Sequence, residues 1–396
     1  MPNTLAKAAR NLILGGTLLA QAGCSSYLTG AGPSTGDIEA QSQSATPGVP
    51  RYEIVDIDSR TVDVLRKRRS ASFLARFGDY RPSVEPTIGV GDTVSVTIWE
   101  AGAGGLFSAP LSSDRFSTGS KSSTIPDQVV GRDGSISVPY AGRVRVVGRT
   151  PKQVQAELEQ ALTGKAIEPQ TLVNVPKSVS NSVTVTGEVV NGARVPLSVR
   201  GDRVMDVIAT AGGVRAPVNE TFIQLTRGRE TARVAMSRVS TDASENIYMR
   251  PNDVLTVVRD PQTFIAYGAT GRNAEIPFDA DGISLAQALA KAGGLSDGRS
   301  DPSGVFVFRF EPESVARAVA PGTTIAGPGR MTPVVYRLNL RDPGSLFLSQ
   351  AFRIESRDVL YVSNAPINDT RKVMEVVGLV TGPALAGLTA YSLIER

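Results

Sequence analysis

An internal duplication constrains the fold of this chain more than any other feature of its sequence. The segment from Val185 to Val214 aligns without gaps with the segment from Ala266 to Leu295, at an offset of 81 residues. The identical positions are Gly187/Gly268, Ala193/Ala274, Pro196/Pro277, Gly201/Gly282, Ala209/Ala290, Ala211/Ala292, Gly212/Gly293 and Gly213/Gly294. Because self-similarity at a fixed period marks repeated structural units, the alignment predicts two tandem copies of one small fold.

The sequence of each copy predicts two strands joined by a turn, followed by a helix that ends at Ala-Gly-Gly. Asp202 can cap the helix in the first copy and Ser284 in the second, and the glycine pair supplies a left-handed stop. Helical spacing predicts the buried faces, which are Val204, Val207, Ile208 and Ala211 in one copy and Leu285, Ala288, Leu289 and Ala292 in the other. A strand closes each copy, starting at Asp253 and at Asp358, and the longer second copy predicts an insertion within residues 311–333.

A second ordered unit is predicted upstream of the duplication, over residues 88–162. Val94, Val96 and Ile98 alternate with hydroxyl side chains, which is the period of a half-buried strand. Thr150 starts a capping-box pattern, in which Pro151 occupies the first helical position and Gln153 the third. The apolar face of the helix that follows is formed by Val154, Leu158, Ala161 and Leu162.

The turns of this upstream unit resemble the polysaccharide-export domain of bacterial outer-membrane export lipoproteins. The matching positions are Gly91-Asp92, Asp133-Gly134, Pro139, Gly142, Gly148 and Thr150. From the residues alone, an ordinary α+β domain is the alternative. The duplicated copies resemble the soluble-ligand-binding β-grasp (SLBB) repeats that follow this domain in long, Wza-like members of the family. Such repeats either bind sugar, for which Tyr248, Phe264 and Tyr267 are candidates, or pack between subunits, in which case these aromatics fill the core.

The N-terminus predicts secretion. Lys7 and Arg10 precede a short apolar stretch that is too short to span a bilayer, which is typical of a signal peptide. Cys24 is the only cysteine and follows this stretch in a sequence that resembles a lipobox, so we expect lipid attachment at Cys24. Gln21 departs from the lipobox pattern, and ordinary cleavage after Ala22 is the alternative. The Ser-, Gly- and Gln-rich residues that follow predict a flexible tether.

The C-terminus predicts a helix that crosses the outer membrane. Residues 376–394 carry no charge, and 370–396 would extend about 40 Å as a helix, enough to cross a hydrocarbon core of about 30 Å. Small residues recur every fourth position along the predicted packing face, at Gly378, Gly382, Ala386 and Ala390. In the family, the corresponding helix forms a barrel through the membrane together with its copies. A buried helix on the last domain and a simple anchor are the alternatives.

Composition argues against catalysis and against nucleic acid as a partner. The chain has no histidine, which removes the usual general base, and its net charge of +4 is modest for a nucleic-acid-binding protein. No catalytic, cofactor-binding or metal-binding residue is predicted. Asp279 and Asp281 faintly resemble a calcium loop but lack its later ligands, so a turn is expected there. A glycan-cleaving enzyme is the least favoured alternative, because no pair of carboxylates stands out.

These features predict an α+β, multidomain chain in which a small β-rich export domain precedes two β-grasp-like repeats and a membrane-spanning helix. The expected segments are a signal peptide (1–23), a tether (24–50), an export domain (51–178), two repeats (179–262 and 263–366) and the helix (367–396). The resemblance implies an outer-membrane translocon subunit that exports capsular or extracellular polysaccharide. It also implies a homo-oligomeric ring, octameric in the family, and an inner-membrane polysaccharide co-polymerase with a tyrosine autokinase as partner. A periplasmic glycan-binding or adaptor lipoprotein that forms no channel is the alternative.

Overall fold

The chain is a multidomain α+β protein in a computed structural model that describes residues 32–43, 50–68, 71–78, 81, 85–101, 106–107, 122–321 and 331–365. It divides into two compact units. One combines residues 1–69 with 262–396, and the other comprises residues 70–261. The unit that contains the second repeat is therefore built from two separate stretches of sequence.

The upstream domain packs one helix and one hairpin against a three-stranded antiparallel sheet. The sheet has the order β3 (Ser122–Val129), β2 (Thr93–Trp99), β6 (Gln170–Lys177), and the hairpin is β4 (Ser135–Val138) with β5 (Gly142–Arg145). The predicted capping box at Thr150 starts helix α4 (Pro151–Leu162). Val154, Leu158 and Leu162 are fully buried with the inward side chains of β2, which confirms both predicted periodicities.

The first repeat is a five-stranded sheet with two helices packed against its core. Its strands are β7 (Ser182–Gly187), β8 (Ala193–Pro196), β9 (Thr221–Arg227), β10 (Glu230–Ala235) and β11 (Val254–Arg259), in the order β10-β9-β11-β7-β8. β7 and β11 pair in parallel and the other neighbours are antiparallel. The helices are α5 (Val204–Thr210) and α6 (Met236–Thr241). Arg203, not Asp202, precedes α5, because the Asp202 carboxylate accepts hydrogen bonds from Ser198 instead.

The second repeat reproduces this topology strand for strand. Its strands are β12 (Gln262–Gly268), β13 (Ala274–Phe278), β15 (Ser300–Pro312), β16 (Met331–Leu338) and β18 (Val359–Asn364), in the equivalent order β16-β15-β18-β12-β13. The helices are α7 (Leu285–Lys291), α8 (Glu313–Val319) and α9 (Ser345–Ala351), and a short pair joins β14 (Ile283–Ser284) to β17 (Arg353–Ile354). Ser284 caps α7 as predicted, and α8 lies in the predicted insertion. All eight residues of the two predicted helix faces are buried.

A segment from the N-terminal part of the chain completes the second repeat. Strand β1 (Glu53–Asp56) pairs in parallel with β16 and extends the sheet to six strands. Helix α2 (Ser59–Arg66) follows, with Asp58 as its N-cap, and it buries Val62 in the repeat core. These residues fall within the predicted export domain (51–178), but they pack on the second repeat because β16 leaves an edge open to pairing.

Helix α1 (Thr35–Gln43) covers the other face of the same sheet. Ile38 is buried with Tyr52 and Tyr361, and the two tyrosine hydroxyls donate to the carbonyls of Ile38 and Pro33 at 2.8 and 2.7 Å. Arg337 binds Glu39 and also forms a two-pronged ion pair with Asp56. Residues 35–43 lie within the stretch that was expected to be a flexible tether. Six of the nine residues of this helix are polar and only Ile38 is buried, so the sequence gives little sign of an apolar face.

The first repeat also receives an upstream helix, α3 (Phe73–Phe77). Phe73 is fully buried in the repeat core, and its backbone N–H donates to the buried carboxylate of Glu245 at 2.7 Å. Within the described residues, no helix is both long and apolar enough to cross a membrane. The predicted spanning helix, 367–396, lies outside the described residues.

Candidate functional site

The five residues singled out from the sequence for attachment and membrane packing lie outside the described residues. They are the expected lipid-attachment residue Cys24 and the packing stripe Gly378, Gly382, Ala386 and Ala390. The described part of the chain contains a different set of polar sites, which were not predicted from the sequence. These sites lie inside the two repeats and at the start of the export domain.

A two-pronged ion pair occurs at the same place in the topology of the two repeats. In the first repeat, Arg227 at the end of β9 binds Asp253, which directly precedes β11, with N–O distances of 2.9 and 2.7 Å. In the second, Arg309 in β15 binds Asp358, which precedes β18, with distances of 2.8 and 2.6 Å. A carboxylate held by both arms of a guanidinium is fixed in direction as well as in position.

The backbone around the two pairs is duplicated as well. Asp253 also accepts from the N–H of Arg250, and Asp358 from the N–H of Glu355, each at 2.8 Å. The residue before each aspartate has a left-handed backbone conformation, with φ of +67° and +71°. The arginine, the aspartate and the turn before it therefore form one structural motif, which binds the start of the closing strand to the neighbouring strand in each repeat.

The pair in the second repeat belongs to a larger buried network. Glu311 is completely buried; it accepts from the Tyr336 hydroxyl at 3.0 Å and from Arg309 at 3.3 Å. Arg68, which follows α2, lies 3.3 Å from the other Glu311 oxygen. Burial lowers the pKa of Arg309, but its hydrogen bond and ion pair with Asp358 outweigh this and raise it above its ordinary value. Arg309 therefore stays charged. Arg309 and Arg68 are the cations of the network, and Asp358, Glu311 and Glu355 are its carboxyl groups.

A glycine ends the parallel strand of each repeat where two backbones meet. Gly187 and Gly268 have φ of +90° and +88°. A Cβ on either residue would lie 2.0 or 2.1 Å from the carbonyl oxygen of Val257 or Val362, respectively. Glycine is required at both positions because a side chain would collide with the neighbouring strand.

Asp92 of the upstream domain joins that domain to the start of the first repeat. Its carboxylate is fully buried and accepts from the N–H groups of Val179 and Ser180 at 2.7 and 2.8 Å. The other oxygen accepts from the Ser180 hydroxyl at 2.6 Å and from the Gly89 N–H at 2.8 Å. The Gly91-Asp92 turn singled out in the sequence is therefore a junction between domains of one unit.

The three candidate sugar-stacking aromatics have different environments. Phe264 is fully buried and packs on Phe278, so it belongs to the core. Tyr248 lies under Arg203, whose guanidinium carbon is 4.7 Å from the ring centroid. Only Tyr267 is largely exposed, at 53%. Phe264 and Tyr267 lie in the same strand, β12, but only Tyr267 is exposed, and Tyr248 belongs to the other compact unit.

A groove of about 700 Å³ opens on the second repeat between the start of α7 and the end of α9. Its polar lining is Arg66, Ser284, Gln287, Gln350 and Arg353, and small apolar residues form the rest. Ser284 and Gln287 satisfy each other in the capping box, and Arg353 donates to the carbonyl of Asp281. In the described part of the chain, no group of three or more acidic or cysteine side chains is arranged to hold a metal ion.

Comparison with known proteins agrees with this arrangement of domains. The polysaccharide biosynthesis/export protein family matches residues 81–176, and the SLBB domain matches residues 181–257 and 262–362. The capsule polysaccharide export outer membrane protein CtrA of Neisseria meningitidis serogroup B is 38% identical over 370 residues, covering 92% of this chain and 93% of that protein. The capsule polysaccharide export protein BexD of Haemophilus influenzae is 32% identical over 372 residues, covering 92% and 94%. The Vi polysaccharide export protein VexA/TviF of Salmonella typhi is 27% identical over 284 residues, covering 72% and 75%.

Proposed function

Because this chain belongs to the family of outer-membrane polysaccharide export proteins, we propose that it is a translocon subunit that carries capsular or extracellular polysaccharide from the periplasm to the cell surface. The observation that carries the proposal is the full-length similarity to named capsule export proteins, with one export domain and two SLBB repeats in the same chain. The role is that of a conduit and not of an enzyme, since the relatives are named for export.

The direct test is deletion of the gene with complementation. A strain without the protein should lose surface polysaccharide and retain the polymer inside the cell envelope, and the wild-type gene should restore export. Unchanged surface polysaccharide in the deletion strain would refute the export function. Antibody binding to intact cells and total polysaccharide in lysates measure the two pools separately.

The assembly that we propose is a ring of identical subunits, octameric as in the family. The C-terminal helix, 367–396, would cross the outer membrane, and the stripe of Gly378, Gly382, Ala386 and Ala390 would let neighbouring helices approach closely. The proposal rests on the uncharged stretch and its four-residue spacing. An inner-membrane polysaccharide co-polymerase with a tyrosine autokinase would deliver the polymer from below.

An epitope placed after Arg396 tests the spanning helix. Labelling of intact cells that still export polysaccharide would place the C-terminus outside the cell. Labelling only after permeabilisation, in a strain that still exports, would contradict the spanning helix. That result would favour a periplasmic glycan-binding or adaptor lipoprotein that forms no channel itself.

A pair of substitutions tests the packing stripe. Gly382→Leu places a bulky side chain on the stripe, and Gly387→Leu adds the same volume to another face of the predicted helix. Negative-stain images in detergent should show fewer closed rings for the first variant and normal rings for the second. Equal numbers of rings in both would contradict the stripe.

We also propose that Cys24 carries the lipid that tethers the protein to the outer membrane. Incorporation of labelled palmitate into wild-type protein, and its loss in Cys24→Ala, would support attachment. Gln21→Leu restores the usual lipobox residue and should raise the labelled fraction. Absence of label in wild-type protein with a mature N-terminus at Gly23 would show that ordinary signal cleavage occurs.

A further inference from the structure

Trp99 is the only tryptophan of the chain, and it lies on an open face of the export-domain sheet. It is the last residue of β2, the central strand, and its side chain is 39% exposed. Along β2 the inward residues Val94, Val96 and Ile98 are buried, so Trp99 points away from the core. Helix α4 packs on the opposite, inward face, where its apolar residues meet β2.

The described cross-strand neighbours of Trp99 on this face are uncharged. Across the sheet, Trp99 is paired with Gln170 on β6 and with Ser122 on β3. The next outward position, Thr97, is paired with Leu172 and Thr124, and Ser95 is paired with Asn174. The face therefore presents hydroxyl and amide groups around one indole ring and one leucine, which is 40% exposed. Asp127 and Lys177 lie only toward its far end.

Within the strands that the structure describes, several polar groups of this face have no hydrogen-bond partner. Among the described residues, the side chains of Gln170 and Asn174 and the Trp99 indole N–H make no hydrogen bond. Thr97 and Thr124 bind each other at 3.2 Å. Three strands spaced by about 4.8 Å and outward positions spaced by about 6.8 Å give a face of roughly 10 by 14 Å. This is large enough for a short stretch of polymer.

We infer that this face, formed by Trp99, Thr97, Gln170, Leu172 and Asn174, is a contact site for the exported polysaccharide, with the Trp99 ring stacked on the apolar side of a sugar unit. The inference rests on the proposed export function. The electron-rich ring face attracts the C–H groups of a sugar, and the amides pair with its hydroxyls.

The chemistry of the face argues against other occupants. A nucleic acid or an acidic peptide would require cations, and the described strand positions paired with Trp99 and Thr97 carry none. A permanent contact with a second copy of the chain would require a larger apolar area than one indole and one leucine provide. An uncharged polymer surface rich in hydroxyl groups needs neither cations nor a large apolar area, so it is complementary to this face.

Because Trp99 is the only tryptophan, the intrinsic fluorescence of the full-length protein in detergent reports directly on this face. The probe is sheared surface polysaccharide purified from the producing strain, with polyglutamate as a polymer without sugar rings. We expect the polysaccharide to shift the emission to shorter wavelength and to reduce acrylamide quenching in a saturable way. Polyglutamate should change neither. Emission and quenching that do not respond to saturating polysaccharide would overturn the inference.

Calorimetric titration of variants measures the role of the ring. Trp99→Ala should bind the polysaccharide about ten-fold more weakly, which corresponds to the loss of one stacked aromatic contact. Trp99→Phe should retain most of the affinity. Val129→Ala is the control. Val129 is 66% exposed at the far end of β3, so its replacement should leave the affinity for the polysaccharide unchanged. Equal affinity of wild type and Trp99→Ala would overturn the inference.

Two further measurements separate this inference from the proposed function. Particle size in detergent should be the same for Trp99→Ala and wild type; loss of rings would instead make the face an interface between copies and overturn the inference. In cells, Trp99→Ala should lower surface polysaccharide while Val129→Ala does not. Normal export by both variants, in a strain whose deletion abolishes export, would refute the site and leave the export function standing.

Discussion

Replacement of Gly268 by alanine should destabilise the second repeat by more than its left-handed backbone alone explains. An alanine Cβ at this position would lie 2.1 Å from the carbonyl oxygen of Val362. That oxygen accepts the backbone hydrogen bond from Ala269 at 2.8 Å, next to the register pair Gly268–Val362 that ends the parallel pairing of β12 with β18. Relief of the contact therefore requires the two strands to separate where they are buried.

The magnitude follows from two contributions. The left-handed conformation costs a residue with a side chain about 1–2 kcal/mol. Loss of a buried backbone hydrogen bond adds about 1–3 kcal/mol. Gly294→Ala is the matched control: its φ is +73°, and a Cβ there would meet nothing within 4 Å, so only the first contribution applies.

Hydrogen exchange of the full-length protein, followed by mass spectrometry, gives the free energy of local opening for peptides of β12 and β18. Gly268→Ala should lower this free energy by about 1–3 kcal/mol more than Gly294→Ala does. Gly187→Ala should have the corresponding effect on β7 and β11, because its Cβ would lie 2.0 Å from the carbonyl oxygen of Val257. If Gly268→Ala and Gly294→Ala have equal effects, the steric argument is refuted.

Three other predictions address single contacts by the same exchange method or by proteolysis. Arg309→Met should destabilise the second repeat by about 3–5 kcal/mol, because it leaves the buried Asp358 without its partner; unchanged exchange in β18 would contradict this. Phe73→Ala should destabilise the first repeat by about 3–5 kcal/mol through a core cavity, and the second repeat, as internal control, should not respond. Burial raises the pKa of Asp301, but hydrogen bonds from Ser303 and Thr35 outweigh it and hold the pKa below its ordinary value. The stabilisation of α1 by Asp301 is therefore present above about pH 4 and is lost as the pH falls below that value, so pepsin should cut α1 more readily there; an Asp301→Asn variant with the same pH dependence would argue against this cause.

Local periodicity predicted the parts of the fold that depend on near neighbours. The helix faces around Val207 and Leu289, the capping box at Thr150, the helix cap at Ser284 and the strand at Val96 are all confirmed. These features follow from contacts within a few residues, which a single sequence displays directly. The prediction that Asp202 caps α5 was wrong, because the Asp202 carboxylate accepts hydrogen bonds from Ser198 in the preceding turn instead.

Long-range partners were not predictable in the same way. Arg227 and Arg309 bind aspartates that lie 26 and 49 residues further along the chain, and nothing in the spacing connects them. A signal was nevertheless present, because Asp253 and Asp358 begin the corresponding closing strands of the two copies. The four residues of β1 show too short an alternation to identify a partner strand, so their pairing with β16 was missed.

The pairing of β1 with β16 also sets the order in which the chain can fold. Asp56 and Arg337, which join these strands, are 281 residues apart in sequence. Closure of so long a loop is slow, and the contact cannot form until the C-terminal repeat has been synthesised. The first repeat has all its strands within one continuous stretch and carries no such delay. We therefore expect the first repeat to reach its native state early. Strand β1 stays unpaired until β16 has been synthesised, and the edge of β16 is exposed to pairing with other chains until the long loop closes.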